Sequence, residues 1–129
     1  PTAPLRTVDD IGRAADKILN READCVRSIC EVEHHPYWMK QIANEKLEPL
    51  IHGHDEINYH NRQMMPDIYR LNGAVDIIRT KFIKDRGLLF GGEMYGYIMP
   101  PERSIDIDTE LDFDLAEILL RKRMLDETN

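Results

Sequence analysis

Long hydrophobic runs are missing from this chain of 129 residues, and so is an excess of positive charge. No apolar stretch approaches the ~20 residues that a membrane-spanning helix needs, so we do not expect a membrane protein. Seventeen Lys and Arg stand against 24 Asp and Glu, which gives a formal net charge of −7. A nucleic-acid surface needs a basic stripe to displace phosphate counterions, so the charge balance argues against nucleic acid as a partner.

Cysteine is also scarce, with only Cys25 and Cys30 present. The two lie five residues apart in an apolar run that reads as a strand, where they would face opposite sides and could not bridge. This pattern predicts reduced thiols and a cytoplasmic protein. No signal peptide opens the sequence, and because it lacks an initiating Met, we expect Pro1 to be a processed or truncated end.

What is present is the composition of a globular protein, 42% hydrophobic and 32% charged. We expect one domain over residues 1–129, since this length can bury about two-thirds of its unfolded surface. Apolar spacing, caps and turn residues predict alternating helices and strands, and therefore an α/β sheet. Helices are predicted over about 8–20, 80–86 and 109–125, strands over about 25–32, 73–78 and 94–99, short strands over about 39–42 and 47–51, and a turn at 52–55.

Three of these elements have features that bear on the fold. The strand over 73–78 reads as a central strand, yet it includes a charged residue, Asp76. The last helix has apolar residues on more than one stripe, so we expect its start to be heavily buried. The first helix opens with a capping box from Thr7 to Asp10.

Two carboxylates, Asp106 and Asp108, lie two residues apart in an apolar, strand-like run just before the last helix. On a strand they would share a face, and same-side carboxylates repel each other unless a cation lies between them. Mg²⁺ suits that place, because it binds one or two carboxylates and keeps its other positions for water and substrate phosphates. The alternative is that Asp108 or Thr109 only caps the helix, with Asp112 completing a capping box from Thr109. Capping and metal binding can coexist.

Several segments of the chain, read together, resemble the acylneuraminate cytidylyltransferases, the CMP-sialic acid synthetase family. The resemblance spans the whole chain and is specific because the segments occur in the family's order and spacing. They are PTAPLRT at residues 1–7, NRQ at 61–63, YRLNGA at 69–74 and SIDIDTELDF at 104–113.

The resemblance implies transfer of CMP from CTP to a sialic acid-type sugar acid, with release of pyrophosphate and with Mg²⁺ neutralising the phosphates. It implies that Asp106 and Asp108 are the catalytic metal ligands. Catalysis of this sort consists mainly of positioning and electrostatics.

The resemblance also implies the residues that hold the sugar acid. Arg62 would pair with the sugar-acid carboxylate, which its bidentate guanidinium suits. Gln63 would bind substrate nearby, and Asn72 would reach substrate beside the sheet. Leu89 and Phe90 would line an apolar wall for the N-acyl group.

The fold implied is the C-terminal half of a nucleotidyltransferase-type mixed sheet with flanking helices and a dimerisation arm. Family members have a further N-terminal half, which carries the Gly-rich, basic loop that cradles the CTP phosphates, and this sequence starts inside the opening motif. Gly91 and Gly92 do not replace that loop, because no strand-loop-helix with Lys or Arg surrounds them.

Segment 34–60 has weak internal periodicity, which suggests an arm that packs on another subunit, and the resemblance places the dimer contact there. Tyr37 and Trp38 are large aromatics near a proline, and such residues anchor a loop or a subunit interface. We therefore expect a homodimer. His52 and His54 are interpreted as turn residues rather than metal ligands, since no Cys or acid stands at structural-zinc spacing.

Two positions depart from the sialic acid type of the family. Asp76 stands where that type has Tyr, and Trp38 stands where it has Lys. These differences favour a related nonulosonic acid, such as a legionaminic or pseudaminic acid, as much as sialic acid itself as the acceptor. Two function classes follow. The chain is either the part of an enzyme that supplies metal, sugar and dimer contacts, or a non-catalytic remnant or interaction module of the same fold.

Overall fold

The computed structural model describes residues 2–54 and 58–126. Pro1 of the opening motif and Asp55 of the predicted turn therefore lie outside the described residues. The chain divides into two compact units, one formed by Pro1–Cys30 with Arg70–Asn129 and the other by Glu31–Tyr69. We refer to them as unit 1 and unit 2.

Unit 1 contains a three-stranded sheet in the order β4-β1-β5, formed by β1 (Cys25–Glu31), β4 (Tyr69–Ile78) and β5 (Met94–Ile98). Strands β1 and β5 are parallel, with Arg27 opposite Gly96. Strand β4 runs antiparallel to β1, because the residue after its end, Arg79, donates its N–H to the carbonyl of Asp24, just before the start of β1. The sheet is therefore mixed, and the expected α/β class is confirmed.

Three helices accompany the sheet, α1 (Val8–Asn20), α2 (Thr80–Arg86) and α3 (Glu110–Asp126). The capping box predicted from Thr7 to Asp10 starts α1, which packs on β5. Gly87 ends α2 in the left-handed region, with φ of 66°, where a residue without a Cβ meets no steric penalty. All three helices begin and end within two residues of the predicted positions.

A small apolar core lies in unit 1 between α1 and the sheet. Its fully buried members come from helix, strands and connecting segments: Ala3, Ala14, Ile18, Ala23, Val26, Ala74, Val75 and Met99. Both cysteines are buried and free, as their spacing predicted. Within the described residues no helix is long and apolar enough to cross a membrane.

Two expectations about these elements were wrong. The centre of the three-stranded sheet is β1, and β4 lies at its edge; Asp76 is accommodated there by an ion pair with Arg27 at 3.0 Å. The start of α3 is exposed, with Leu111 at 76% and Phe113 at 58% of their full accessibility. Apolar residues spread around this helix, and unit 1 covers only the stripe that includes Ala116.

Unit 2 is built on an antiparallel hairpin of β2 (Lys40–Ala43) and β3 (Lys46–Pro49). The two short strands expected in this region are thus confirmed. Near the hairpin, Tyr37 stacks on His54 with ring centroids 4.1 Å apart, and the indole N–H of Trp38 donates to the carbonyl of Tyr59 at 2.7 Å. The aromatic residues therefore anchor the loops of unit 2.

Candidate functional site

The segment that carries Asp106 and Asp108 is an irregular stretch and not a strand. It follows the short 3-10 helix Pro101–Arg103 and precedes α3. A backbone hydrogen bond from Ile107 N–H to Thr2 O, at 2.8 Å, ties this segment to the start of the chain. The expectation that the two carboxylates lie on a strand, and share a face for that reason, is therefore wrong. That Asp106 and Asp108 share one pocket stays a prediction.

Asp106 lies half-buried against β4. A Cβ placed on Gly73 would stand 3.6 Å from Asp106 Oδ2, which is ordinary van der Waals contact. The other carboxylate oxygen, Oδ1, is buried and has no hydrogen-bond donor among the described residues. A buried carboxylate oxygen without a partner is costly, since burial removes it from water without compensation.

Asp108 is exposed, and its neighbours form the cap of α3. Thr109 N–H donates to Asp112 Oδ2 at 2.8 Å, and Asp112 N–H donates back to Thr109 Oγ1 at 3.3 Å. Hydrogen bonds from the Thr109 side chain and backbone lower the pKa of Asp112. The predicted capping box is confirmed, and the carboxylate of Asp108 is left outside it.

The donor set at Asp106 fits a hard cation that brings its other ligands with it. No three His, Cys, Asp or Glu side chains within residues 2–54 and 58–126 are grouped closely enough to hold a metal ion by themselves. Mg²⁺ does not require such a cage, because it is commonly bound through one or two carboxylates, water and phosphate oxygens. The unpartnered oxygen of Asp106 is the observation in favour of a cation here.

Asn72, the predicted substrate residue on β4, is only 2% exposed. Its side-chain carbonyl accepts from Ser28 Oγ at 2.5 Å, and its amide donates to Ser104 Oγ at 2.8 Å. Asn72 therefore ties β1 and β4 to the segment that leads to Asp106. Direct contact of its side chain with substrate stays a prediction.

A second support for this segment was missed by sequence reasoning. Arg103 donates to both carboxylate oxygens of Asp10, at 3.0 and 2.8 Å, and Tyr97 donates to the same carboxylate at 3.0 Å. Burial by itself would raise the pKa of Asp10, but hydrogen bonds from Arg103, Thr7 and Tyr97 outweigh it and hold that pKa well below its usual range. The sequence signal was the capping box, which explains only the Thr7 contacts.

Leu89 and Phe90, the predicted apolar wall, lie in the loop after α2 and are 61% and 40% exposed. The guanidinium of Arg27 lies 4.0 Å from the centre of the Phe90 ring. The same guanidinium makes two hydrogen bonds to Asp76. Asp76 thereby connects to Phe90 through Arg27.

Arg62 and Gln63 belong to unit 2 and lie in the short 3-10 helix Arg62–Met64. The guanidinium of Arg62 donates to Glu31 Oε1 and to Val32 O, each at 2.8 Å. Half of the Arg62 side chain remains exposed. Gln63 donates its N–H to the side chain of Asn61 and is itself exposed.

Comparisons with known proteins yielded no matching family model, but they found curated relatives. The post-translational flagellin modification protein B of Campylobacter coli is 26% identical over 96% of this chain and 52% of its own length. The N-acylneuraminate cytidylyltransferase of Streptococcus agalactiae serotype V is 31% identical over 87% of this chain and 27% of its own. The CMP-N,N'-diacetyllegionaminic acid synthase of Campylobacter jejuni is 29% identical over 70% and 37%.

The mixed α/β sheet of unit 1 is consistent with a nucleotidyltransferase-type domain. Within that class, the resemblance to the acylneuraminate cytidylyltransferase family is confirmed by these relatives. The chain spans between about a quarter and about half of the length of the relatives that it matches.

Proposed function

We propose that this chain supplies the metal and sugar-acid contacts of a CMP-nonulosonic acid synthetase, which transfers CMP from CTP to a sialic acid-type sugar acid and releases pyrophosphate. The names of two relatives support this reaction class. The observation that carries the proposal is Asp106, whose buried Oδ1 has no donor among the described residues. A cation bound at this carboxylate would give the oxygen the partner that it lacks.

Asp106 and Asp108 would hold Mg²⁺ in this proposal. When bound, the cation neutralises phosphate charge and stabilises the charge that develops as pyrophosphate leaves. Asp106 is fixed against Gly73 of β4, while Asp108 is exposed at the start of α3. One ligand would therefore be preorganised, and the other would be free to adjust to the substrate.

Arg62 and Gln63 would bind the sugar-acid carboxylate and its surroundings. An arginine fork can bind a carboxylate bidentately, and Arg62 donates one hydrogen bond, from Nη2, to the exposed side chain of Glu31. A substrate carboxylate would replace Glu31, whereas the bond to Val32 O would keep the guanidinium in place. Glu31 thus stands in for the ligand that we propose.

Leu89 and Phe90 would contact the N-acyl substituent of the acceptor. Phe90 is held by the Arg27 guanidinium, and that guanidinium is held by Asp76. Asp76 replaces the Tyr of the sialic acid type, so we propose a related nonulosonic acid, such as a legionaminic or pseudaminic acid, as acceptor. The legionaminic acid synthase among the relatives favours the first of these.

We also propose a cytoplasmic homodimer formed through the hairpin of unit 2. Ile42 and Leu47 are cross-strand neighbours and are 77% and 72% exposed. Two neighbouring exposed apolar side chains on one face of the hairpin would lose contact with water if a second subunit packed there. The same observation favours the second candidate function, a non-catalytic module that keeps the fold and the dimer surface.

The test is pyrophosphate release from CTP, Mg²⁺ and a panel of nonulosonic acids. The 129-residue chain alone is expected to be inactive, because its sequence contains no Gly-rich, basic loop to bind the CTP phosphates. The contacts of such a loop commonly supply several kcal/mol of transition-state stabilisation. A separately expressed N-terminal half is expected to restore turnover.

Two carboxylate variants test the metal-binding role of Asp108. Asp108→Asn should abolish the restored turnover, and Glu110→Gln, which removes an exposed carboxylate two residues away, should not. Turnover by the chain alone would show that its nucleotide contacts were misjudged, and no turnover with any added half would favour the non-catalytic module.

A further inference from the structure

Three buried polar side chains form a continuous hydrogen-bonded path in unit 1. Ser28, Asn72 and Ser104 are 1%, 2% and 0% exposed. They belong to β1, β4 and the segment before Asp106, which are far apart in the sequence. Polar groups buried in this way stabilise a unique arrangement only when each is satisfied, and here each one is.

The Ser28 end of the path is internal to the sheet. Ser28 Oγ accepts the N–H of Val75 at 2.7 Å and donates to Asn72 Oδ1. Asn72 Oδ1 also accepts the N–H of Ala74 at 3.2 Å. The two contacts of Ser28 join β1 to β4, and the bond from Ala74 to Asn72 lies within β4, so this end holds the two strands together.

The Ser104 end joins the sheet to the candidate site. Ser104 Oγ accepts from Asn72 Nδ2 at 2.8 Å and donates to Pro100 O at 2.8 Å. Two residues later, Asp106 lies against Gly73, the residue after Asn72. On the other side of Asp106, Ile107 N–H is fixed to Thr2 O. The carboxylate is thus held between two anchors, one of side chains and one of backbone.

We propose that Ser104 is a positioning residue for the metal ligand Asp106, acting through its buried hydrogen bond to Asn72. This inference rests on the metal-binding part of the proposed function. Outer contacts that fix a ligand matter because they hold it in binding geometry before the ion arrives. On this account Asn72 acts within the protein, by holding Ser104.

The first experiment measures Mn²⁺ binding to the 129-residue chain, by electron paramagnetic resonance of the free ion. Ser104→Ala is expected to weaken binding by about tenfold, the low end of the range for groups that orient a metal ligand directly, because Ser104 acts on Asp106 through the intervening backbone. Ser104→Cys replaces the hydroxyl with a larger thiol that is only a weak donor and acceptor, so a loss of the same sign is expected. Asp106→Asn should remove binding.

Ser28→Ala is the matched control, because it removes an equally buried hydroxyl from the same path at the end remote from Asp106. It should lower the urea midpoint of unfolding at least as much as Ser104→Ala, yet leave Mn²⁺ affinity within about twofold of wild type. Equal losses of affinity in both variants, or none in either, would overturn the positioning role.

The second experiment reads the segment without metal. Amide hydrogen exchange at Ile107 should become about fivefold faster or more in Ser104→Ala and stay near the wild-type rate in Ser28→Ala, as expected for loss of one buried hydrogen bond. An unchanged rate in Ser104→Ala would overturn the inference. If Ile107 exchanges faster in Ser104→Ala but the wild type does not bind Mn²⁺, the proposed metal function is refuted. The anchoring of the segment by Ser104 is then still supported.

Discussion

The variant Asp10→Asn, which replaces a carboxylate by an amide, should destabilise this protein strongly. The same exchange at the neighbouring Asp9 should have little effect. Asp10 is fully buried and accepts five hydrogen bonds. Oδ2 accepts from Thr7 N–H, Thr7 Oγ1 and Arg103 Nε, and Oδ1 accepts from Arg103 Nη2 and Tyr97 OH.

The expected cost follows from these contacts. The amide oxygen of Asn would take the Oδ2 position, where three donors meet, and the amide NH₂ would then face Arg103 Nη2 and Tyr97 OH. The tyrosine hydroxyl can turn to accept, but the guanidinium cannot, so one charge-assisted bond and the charge of the ion pair are lost. We expect a loss of about 2–4 kcal/mol in the free energy of unfolding.

The assay is urea unfolding followed by circular dichroism. Asp9→Asn is the control, because Asp9 lies one residue away in the same helix and pairs with Arg13 at 2.9 Å while both side chains are about two-thirds exposed. An exposed pair of this kind should contribute no more than about 0.5 kcal/mol. Similar losses in the two variants would refute the argument from burial and hydrogen bonding.

The difference between wild type and Asp10→Asn should also depend on pH. The pKa of Asp10 in the folded protein is held below its usual range, so its contribution is present above the unfolded pKa of about 4 and is lost as pH falls through the folded value. The difference should be constant from about pH 5 to 8 and shrink below about pH 4. A difference that grows on acidification would reverse the sign and contradict this account.

Further predictions concern backbone, thiols and assembly. Gly92→Ala should cost about 1–3 kcal/mol more than Gly87→Ala, because both glycines have φ of 66° but a Cβ at Gly92 would collide with the Asp24 carboxylate and with Phe82, whereas one at Gly87 would meet nothing; equal costs in urea unfolding would refute the steric argument. Both cysteines are buried, and burial raises the pKa of the Cys25 thiol, so both thiols should react with Ellman's reagent only on denaturation; fast reaction of both in the native protein would be the contrary result. Ile42→Asp should turn the proposed dimer into a monomer in light scattering, and a wild-type monomer at high concentration would remove the dimer proposal.

The sequence by itself predicted the elements that depend on local chemistry. The capping boxes at Thr7 and Thr109, the stop of α2 at Gly87 and the strands over 25–31 and 94–98 are confirmed. Each follows from contacts within a few residues or from the spacing of apolar side chains. The resemblance to the cytidylyltransferases was likewise readable from segments of the chain, because order and spacing of motifs are properties of the sequence.

Tertiary structure decided the features that depend on distant neighbours. Asp106 is not on a strand, because the segment before α3 is anchored by Ser104 and by Thr2 rather than by pairing along a sheet edge. Asn72 is buried, since Ser28 and Ser104 satisfy its amide. The sequence shows Asp10 only as the residue that completes the capping box of Thr7, whereas the structure shows that Arg103, 93 positions away, donates to its carboxylate. Hydrogen bonds between residues so far apart leave no periodic pattern, and only the folded chain brings their donors and acceptors within about 3 Å of each other.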